Sequence, residues 1–217
     1  MSFHERELVG KEIAVGRVIV TEFMSLDGVV EDPGGAEKGK TDFPYGGWTF
    51  DFDRGKEGND FKVEELRGAD AQLLGRVTYE GFAKAWPGMR TTAGEFGEKM
   101  NAMPKYVVST TLADADATWE NTKVIRGDVR GAVERLKRDV SGDILIAGSA
   151  KLVQSLTEYG LVDQYRLFTF PIVLGTGKRL FEGGVSKTKL RLVDNTPVGK
   201  DGVVILTYEP VHDRPDR

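Results

Sequence analysis

At 217 residues, with 40% hydrophobic and 29% charged residues, the chain has a globular composition and enough length to bury a sizeable core. It has no cysteine, and its two histidines, His4 and His212, lie near the chain ends, which argues against disulfides, zinc or any other metal, and histidine-centred catalysis. A net charge of −4 speaks against a nucleic-acid partner, while the charged stretch 1–11 and the lack of any apolar run near ~20 residues speak against secretion and a membrane partner; a cytoplasmic location is expected.

Residues 17–24, RVIVTEFM, are β-branched and aromatic, as a buried strand requires, and run into the turn-forming Ser25-Leu26-Asp27-Gly28. The stretch 31–58 is rich in Gly, Pro and Asp, yet it carries Phe43, Tyr45, Trp48, Phe50 and Phe52. It reads as a long, partly packed loop on the active-site side, because a linker has no use for such aromatics. Phe43, Tyr45 and Trp48 either lid a flat heterocycle or pin the loop to the core. A short helix over about 60–67 and a buried strand over 69–75 follow, then a helix beginning near Thr78. Tyr79, Phe82 and Trp86 recur on that helix at i, i+3 and i+7, and Pro87-Gly88 ends it.

Phe96, Met100 and Met103 repeat the helical spacing before Pro104. Strands at 105–109 and 122–125 precede a helix whose Val129, Val133, Leu136 and Val140 share a face and which Gly142 closes. Residues 143–147 form the next strand; Leu152, Val153, Leu156 and Tyr159 mark the next helix, ended by Gly160. The strand-like run 163–174, which contains Pro171, and the stretches 189–193 and 203–208 read as a C-terminal antiparallel extension. Trp86 and Trp119 are assigned to packing. Alternating strands and helices imply a mostly parallel sheet covered on both faces. No polar break divides the chain, so a single domain over 1–217 is expected, with 1–15 an N-terminal extension and 210–217 a C-terminal tail.

Two strand-to-helix junctions suit an anion. Leu74-Gly75-Arg76-Val77-Thr78 places a glycine, a guanidinium and a hydroxyl where a helix begins, so free amides and the positive end of the dipole can hold phosphate. Equally, Gly75 makes a turn, Thr78 caps the helix and Arg76 is a solvated charge. Ile146-Ala147-Gly148-Ser149-Ala150-Lys151-Leu152 repeats the arrangement with small residues that admit a diphosphate and with a nearby cation. Either alone is an ordinary α/β turn; two in register favour a nucleotide at the carboxyl edge of a parallel sheet.

Ser109-Thr110-Thr111 ends a third strand with hydroxyls that bond either an adenine ribose or their own turn. Gly175-Thr176-Gly177-Lys178-Arg179 offers backbone and cations to an anionic substrate, or is a turn with solvated charges; it lacks the spacing of a P-loop. Asp27 orients a substrate hydroxyl or amine, or bonds its own turn, and Glu182 beside Gly183-Gly184 is a weaker candidate of the same kind.

In this order, Ser25-Leu26-Asp27-Gly28, Leu74-Gly75-Arg76-Val77-Thr78-Tyr79-Glu80, Ala147-Gly148-Ser149 and Pro171 to Phe181 resemble the dihydrofolate reductase superfamily. The resemblance is closest to the reductase domain of the bifunctional riboflavin-biosynthesis deaminase/reductase and its stand-alone relatives, and covers nearly all of 17–208. It implies a dihydrofolate reductase-like three-layer α/β/α sandwich with a mostly parallel central sheet and C-terminal antiparallel strands. It also implies NADPH as cofactor, with Gly75, Arg76 and Thr78 against its phosphates and Ser109 and Thr110 near its adenosine end. Gly148, Ser149, Ala150, Lys151 and Leu152 would wrap the diphosphate, and the backbone near Phe23 and Val30 would flank the nicotinamide, from which hydride passes to a C=N or C=O carbon.

Folate reductases bind the pterin with a carboxylate from the helix after the first loop, which makes Asp60 its counterpart here and, with Asp27, a candidate catalytic residue. Leu152 stands where those enzymes commonly have a tyrosine, which argues against dihydrofolate. The zinc-ligand residues of the deaminase domain are absent, so a lone reductase module is expected. Asp27, Gly175, Thr176, Gly177 and Lys178 are the candidate substrate contacts. The expected function is NADPH-dependent reduction of a small heterocycle, resembling 5-amino-6-(5-phosphoribosylamino)uracil reductase. The alternatives are a dihydrofolate or pterin reductase and a non-catalytic nucleotide-binding dimer. Exposed C-terminal strand edges suggest a homodimer.

Overall fold

In the computed structural model, which describes residues 15–35, 42–183 and 185–211, strands and helices alternate as their periodicities require. They are β1 (Arg17–Ser25), α1 (Gly55–Arg67), β2 (Ala69–Gly75), α2 (Arg76–Ala85), α3 (Gly94–Ala102), β3 (Lys105–Val108) and β4 (Thr122–Ile125). There follow α4 (Val129–Asp139), β5 (Asp143–Ile146), α5 (Ala150–Glu158), β6 (Gln164–Phe170), β7 (Leu190–Val198) and β8 (Val203–Pro210). Most of the expected terminal extension and tail lie outside the described residues, as do 36–41 of the long loop, His4, His212 and Gly184.

The strands form one sheet in the order β4-β3-β2-β5-β1-β6-β8-β7. Pairing is parallel from β4 to β6 and antiparallel for β6 with β8 and β8 with β7. Alternate residues of the central strands feed two cores, as the two-residue period of a strand demands. Val18, Val20, Leu73, Ile144 and Ile146 pack under α4 and α5 through Val133, Leu136, Val153 and Leu156. Ile19, Leu74 and Leu145 pack on the opposite face with Leu66 of α1, Tyr79 of α2 and Met100 of α3. The result is the three-layer sandwich expected, with a mostly parallel sheet and antiparallel C-terminal strands.

Several boundaries differ from the sequence reading. Helix α1 starts at Gly55, a turn and more before residue 60. Gly55 and Gly58 lower its intrinsic helix propensity, but the Gly55 amide donates to Asp53 Oδ1 and Arg54 reaches Asn59 Oδ1, which secures the first turn. Strand β6 stops at Phe170, because Pro171 brings no ladder donor. Strand β7 runs on through Pro197, tolerated because β7 is the sheet's outer strand.

The aromatics of the long loop divide. Phe43 and Trp48 are buried with Phe168 and Phe170, Phe52 packs against them, and the Trp48 indole donates to the Glu31 carbonyl at 2.9 Å. These pin the loop, whereas Phe50 is 77% exposed and Tyr45 48%. Trp119 is buried and donates to Asn101 Oδ1, and Trp86 stacks with Phe96; both pack. Among the described residues no helix is long and apolar enough to cross a membrane.

Candidate active site

Six parallel strands present their carboxyl ends along one edge, in the order β4, β3, β2, β5, β1, β6. At the β2–β5 boundary the connections diverge. Helix α2 leaves β2 onto one face and α5 leaves β5 onto the other. Adjacent strands whose crossovers part in this way open a crevice beyond their carboxyl ends, the usual place for a ligand in an open α/β sheet.

Both glycine junctions meet there, and they interlock. The Gly75 amide donates to the Gly148 carbonyl at 3.2 Å. A Cβ on Gly75 would lie 2.4 Å from Ser149 Oγ, and one on Gly148 would lie 2.6 Å from Thr78 Oγ1. Gly148 has φ +106°, and the Gly148–Ser149 peptide is cis. Bare backbone thus fills the point where the helices converge. Helix α2 begins at Arg76, so Gly75 is its N-cap residue and Thr78, expected near the cap, lies inside the first turn with its hydroxyl turned to Gly148.

Like α1 and α3, neither α2 nor α5 has a side-chain cap, whereas α4 is capped by Asp128 accepting from the Gly131 amide. No side chain therefore occupies the first amides of α2 and α5, although the Leu152 amide already donates to the Ser149 carbonyl at 2.9 Å, and two positive dipole ends meet at one spot. Arg76 is exposed and pairs with Glu80 at 2.8 Å, an (i, i+4) surface pair worth about 0.5 kcal/mol or less, which a phosphate can displace. Lys151 is exposed in the first turn of α5. Leu152 is buried in the α5 core. Ser109, at the end of β3, already accepts from the Thr111 and Leu112 amides, so its oxygen serves its own turn, while Thr110 is exposed.

Across β1 and β6 the edge is closed by two zipped loops. Val29 bridges Arg179, the Val30 amide donates to the Lys178 carbonyl, and the Leu180 amide donates to the Gly28 carbonyl. Asp27 locks them. Its Oδ1 accepts from Ser25 Oγ at 2.7 Å and from the Leu174 amide; its Oδ2 accepts from the Gly175 amide and from Arg179. The Ser25 hydroxyl first, then the two amides, hold this carboxyl down to about 2 against the opposing effect of burial. Asp27 is an ionised clamp with its lone pairs in use, not a group free to orient a substrate. Lys178 is likewise matched by Glu31, and Thr176 is exposed.

Helix α1 does not present Asp60 to the sheet. That side chain is 57% exposed and paired with Lys56 on the outer surface. The inward residues are Phe61, Lys62 and Glu65. Glu65 is buried, accepts from Thr21 Oγ1 at 2.8 Å and pairs with both Lys62 and Arg166, which reaches on to Asp143. Removing one partner of a buried pair strands the other charge. Glu65→Ala should therefore cost about 3–5 kcal/mol in urea unfolding, and a loss under about 1 kcal/mol would show the network to be dispensable. Phe23 stands beside this network, edge-on to Phe168 and Phe170, with the Arg54 guanidinium 5.1 Å from its ring.

Sequence reasoning missed Glu22. It is 7% exposed, Oε1 has no hydrogen-bond partner, and burial pushes its carboxyl up to about 8, with the Lys62 charge opposing. The available signal was an acid inside an apolar strand. A separate cleft of about 480 Å³ lies beside the long loop, lined by Gly34, Tyr45, Trp48, Phe50 and Leu174. None of the junction residues lines it.

A sheet of this order has the dihydrofolate reductase-like fold. Dihydrofolate reductase of Enterococcus faecalis, complexed with NADP(H), superposes with TM-score 0.54 at 16% identity over 90% of this chain and 96% of that one. A protein of Shewanella sp. PV-4, named for riboflavin biosynthesis, gives TM-score 0.69 at 22% identity over 90% and 99%. More specifically, residues 17–204 match the RibD C-terminal domain, and the chain belongs to that family. YyaP of Bacillus subtilis (strain 168), an uncharacterized protein, is 29% identical over 194 residues, 88% of this chain and 94% of its own.

Proposed function

We propose that this chain is an NADPH-dependent reductase of a small heterocycle, of the kind represented by 5-amino-6-(5-phosphoribosylamino)uracil in riboflavin biosynthesis. The observation that carries the reading is the interlocked pair Gly75–Ser149 and Gly148–Thr78 between two uncapped helix starts. Such a cradle of bare backbone and free amides fits a dinucleotide diphosphate. NADPH, when bound, supplies a hydride. The chain supplies position and charge: Gly75, Gly148, Ser149 and Ala150 give the close approach, and the first-turn amides with Arg76, Thr78 and Lys151 balance the phosphates. Thr110 borders the adenosine end, the backbone at Phe23 and Val30 borders the nicotinamide, and the Gly175–Lys178 loop walls the substrate side. Reduction of a pterin ranks second, because α1 turns Lys62 and Glu65 inward where a pterin needs a lone carboxylate.

Loss of NADPH absorbance with the pyrimidine and with dihydrofolate tests this reading. A faster rate with the pyrimidine is expected, and a faster rate with dihydrofolate would reverse the ranking. Arg76→Ala should weaken NADPH on the order of tenfold and NADH much less, since a guanidinium suits the extra phosphate. Equal losses would place Arg76 on the shared diphosphate. The chain should also pair as a homodimer through β7, whose Leu192 and Val193 are exposed on an outer strand; a monomer in sedimentation would reject that.

A further inference from the structure

Strand alternation puts Val18, Val20, Glu22 and Met24 on the face covered by α4 and α5, and the three apolar members join that core with Val30, Leu152, Leu167 and Leu180. Among the described residues only two buried side-chain polar atoms lack a hydrogen-bond partner, Glu22 Oε1 and Thr169 Oγ1. They are neighbours. The parallel register sets Glu22 opposite Leu167 and Met24 opposite Thr169, so Glu22 and Thr169 are diagonal on one face, with backbones roughly 7 Å apart. On its other side β1 pairs with β5 up to Val20–Ile146, and two residues further along stand Glu22 and Gly148. Glu22 therefore sits where β5 has turned away into the glycine junction.

Leaving a buried polar group unpaired costs about 1–3 kcal/mol, and folded proteins leave few. Two together at the ligand edge of a sheet point to a partner that arrives with the ligand. We propose that Glu22 and Thr169 are positioning residues that jointly take an amide edge, –C(=O)–NH–, of a bound ligand at the β1 end of the crevice. A carboxylic acid donates its O–H to a carbonyl and accepts from an N–H, the complement of an amide, and the threonine hydroxyl adds a further donor or acceptor. Burial keeps the Glu22 acid protonated at neutral pH, so the donor is present. The proposal rests on the reductase reading. Two ligands carry such an edge there, the nicotinamide carboxamide and the lactam of a pyrimidine substrate.

Full-length wild type, Glu22→Gln, Glu22→Leu and Thr169→Val would be titrated with NADPH and with 2′-phospho-ADP-ribose, which lacks the nicotinamide. Their NADPH complexes would be titrated with 5,6-diaminouracil. Glu22→Leu and Thr169→Val should weaken the ligand that is held by about tenfold. Glu22→Gln, which keeps a donor and an acceptor, should stay within about threefold of wild type, and 2′-phospho-ADP-ribose should bind all four alike. A loss for NADPH assigns the pair to the carboxamide, and a loss for the uracil alone assigns it to the lactam. Unchanged NADPH binding with unchanged or absent uracil binding overturns the proposal and leaves the cofactor reading intact. Equal losses for NADPH and 2′-phospho-ADP-ribose overturn it too, as a general structural defect. If wild type binds no NADPH, the reductase reading fails and takes the proposal with it. Glu22→Gln and Thr169→Val are near-isosteric, so the test survives if Glu22→Leu does not fold.

Discussion

Replacing Gly148 with alanine is expected to weaken NADPH binding by about a hundredfold or more, near 3 kcal/mol. The new Cβ would stand 2.6 Å from Thr78 Oγ1, at a backbone φ of +106° that L side chains rarely adopt. Holding a non-glycine residue there costs on the order of 1–3 kcal/mol in stability. Thr78 must also swing away, which moves a hydroxyl out of the first turn of α2. Gly75→Ala separates the two effects, because its φ of −76° suits any residue while its Cβ would meet Ser149 Oγ at 2.4 Å. It should damage binding with a smaller loss of stability, and Ser149→Gly beside it should restore part of the binding. Gly88, with no atom within 4 Å of its would-be Cβ, is the control. Gly88→Ala should stay within about 0.5 kcal/mol of wild type, and NADPH affinity unchanged in Gly148→Ala would remove the cradle from the account.

The second large effect is a pH-dependent stability difference at Glu22. Its carboxyl is raised from the usual 4.5 to about 8 in the folded chain, first by burial. Between those values the folded state holds a proton that the unfolded state has released. The contribution of the protonated acid is fully present below about 4.5 and is lost as pH rises through about 8. Each pKa unit is worth about 1.4 kcal/mol, so the whole change has an upper bound of about 5 kcal/mol. Glu22→Gln does not titrate, and its stability relative to wild type should climb across this window. Lys105, lowered to about 8 by its own burial, slopes the other way above that pH and is common to both proteins, so the difference isolates Glu22. Parallel urea midpoints for the two proteins from pH 5 to about 9 would show that Glu22 ionises freely.

The fold was readable where one chemical pattern dominated. Residues 17–24 and 69–75 are apolar runs ended by turns, and both became strands of the central sheet, β1 and β2. The helices of Val133 and Leu136 and of Val153 and Leu156 were readable from their apolar spacing. The start of α1 was not, because Gly55 and Gly58 hide a turn that is secured by Asp53 and Asn59. That hidden turn also obscured which acid faces inward. Asp60 follows the loop in the expected place, but the phase of the helix turns Lys62 and Glu65 to the sheet.

The two glycine junctions could be recognised singly, and their interlock could not, since Gly75 and Gly148 meet only through the strand order β2-β5. Asp27 illustrates the same limit. Its partners Leu174, Gly175 and Arg179 lie about 150 residues along the chain, and local sequence offered only its own turn or a substrate group. Glu22 was visible as an acid in an apolar strand, and its missing partner becomes apparent only when Thr169 is found beside it.

Equilibrium titration of the wild-type chain with NADPH and with NADH probes the glycine cradle itself. Saturable binding of NADPH, tighter than NADH and abolished or strongly weakened by Gly148→Ala, is the result expected from the cradle at Gly75 and Gly148. Binding of neither nucleotide would contradict it.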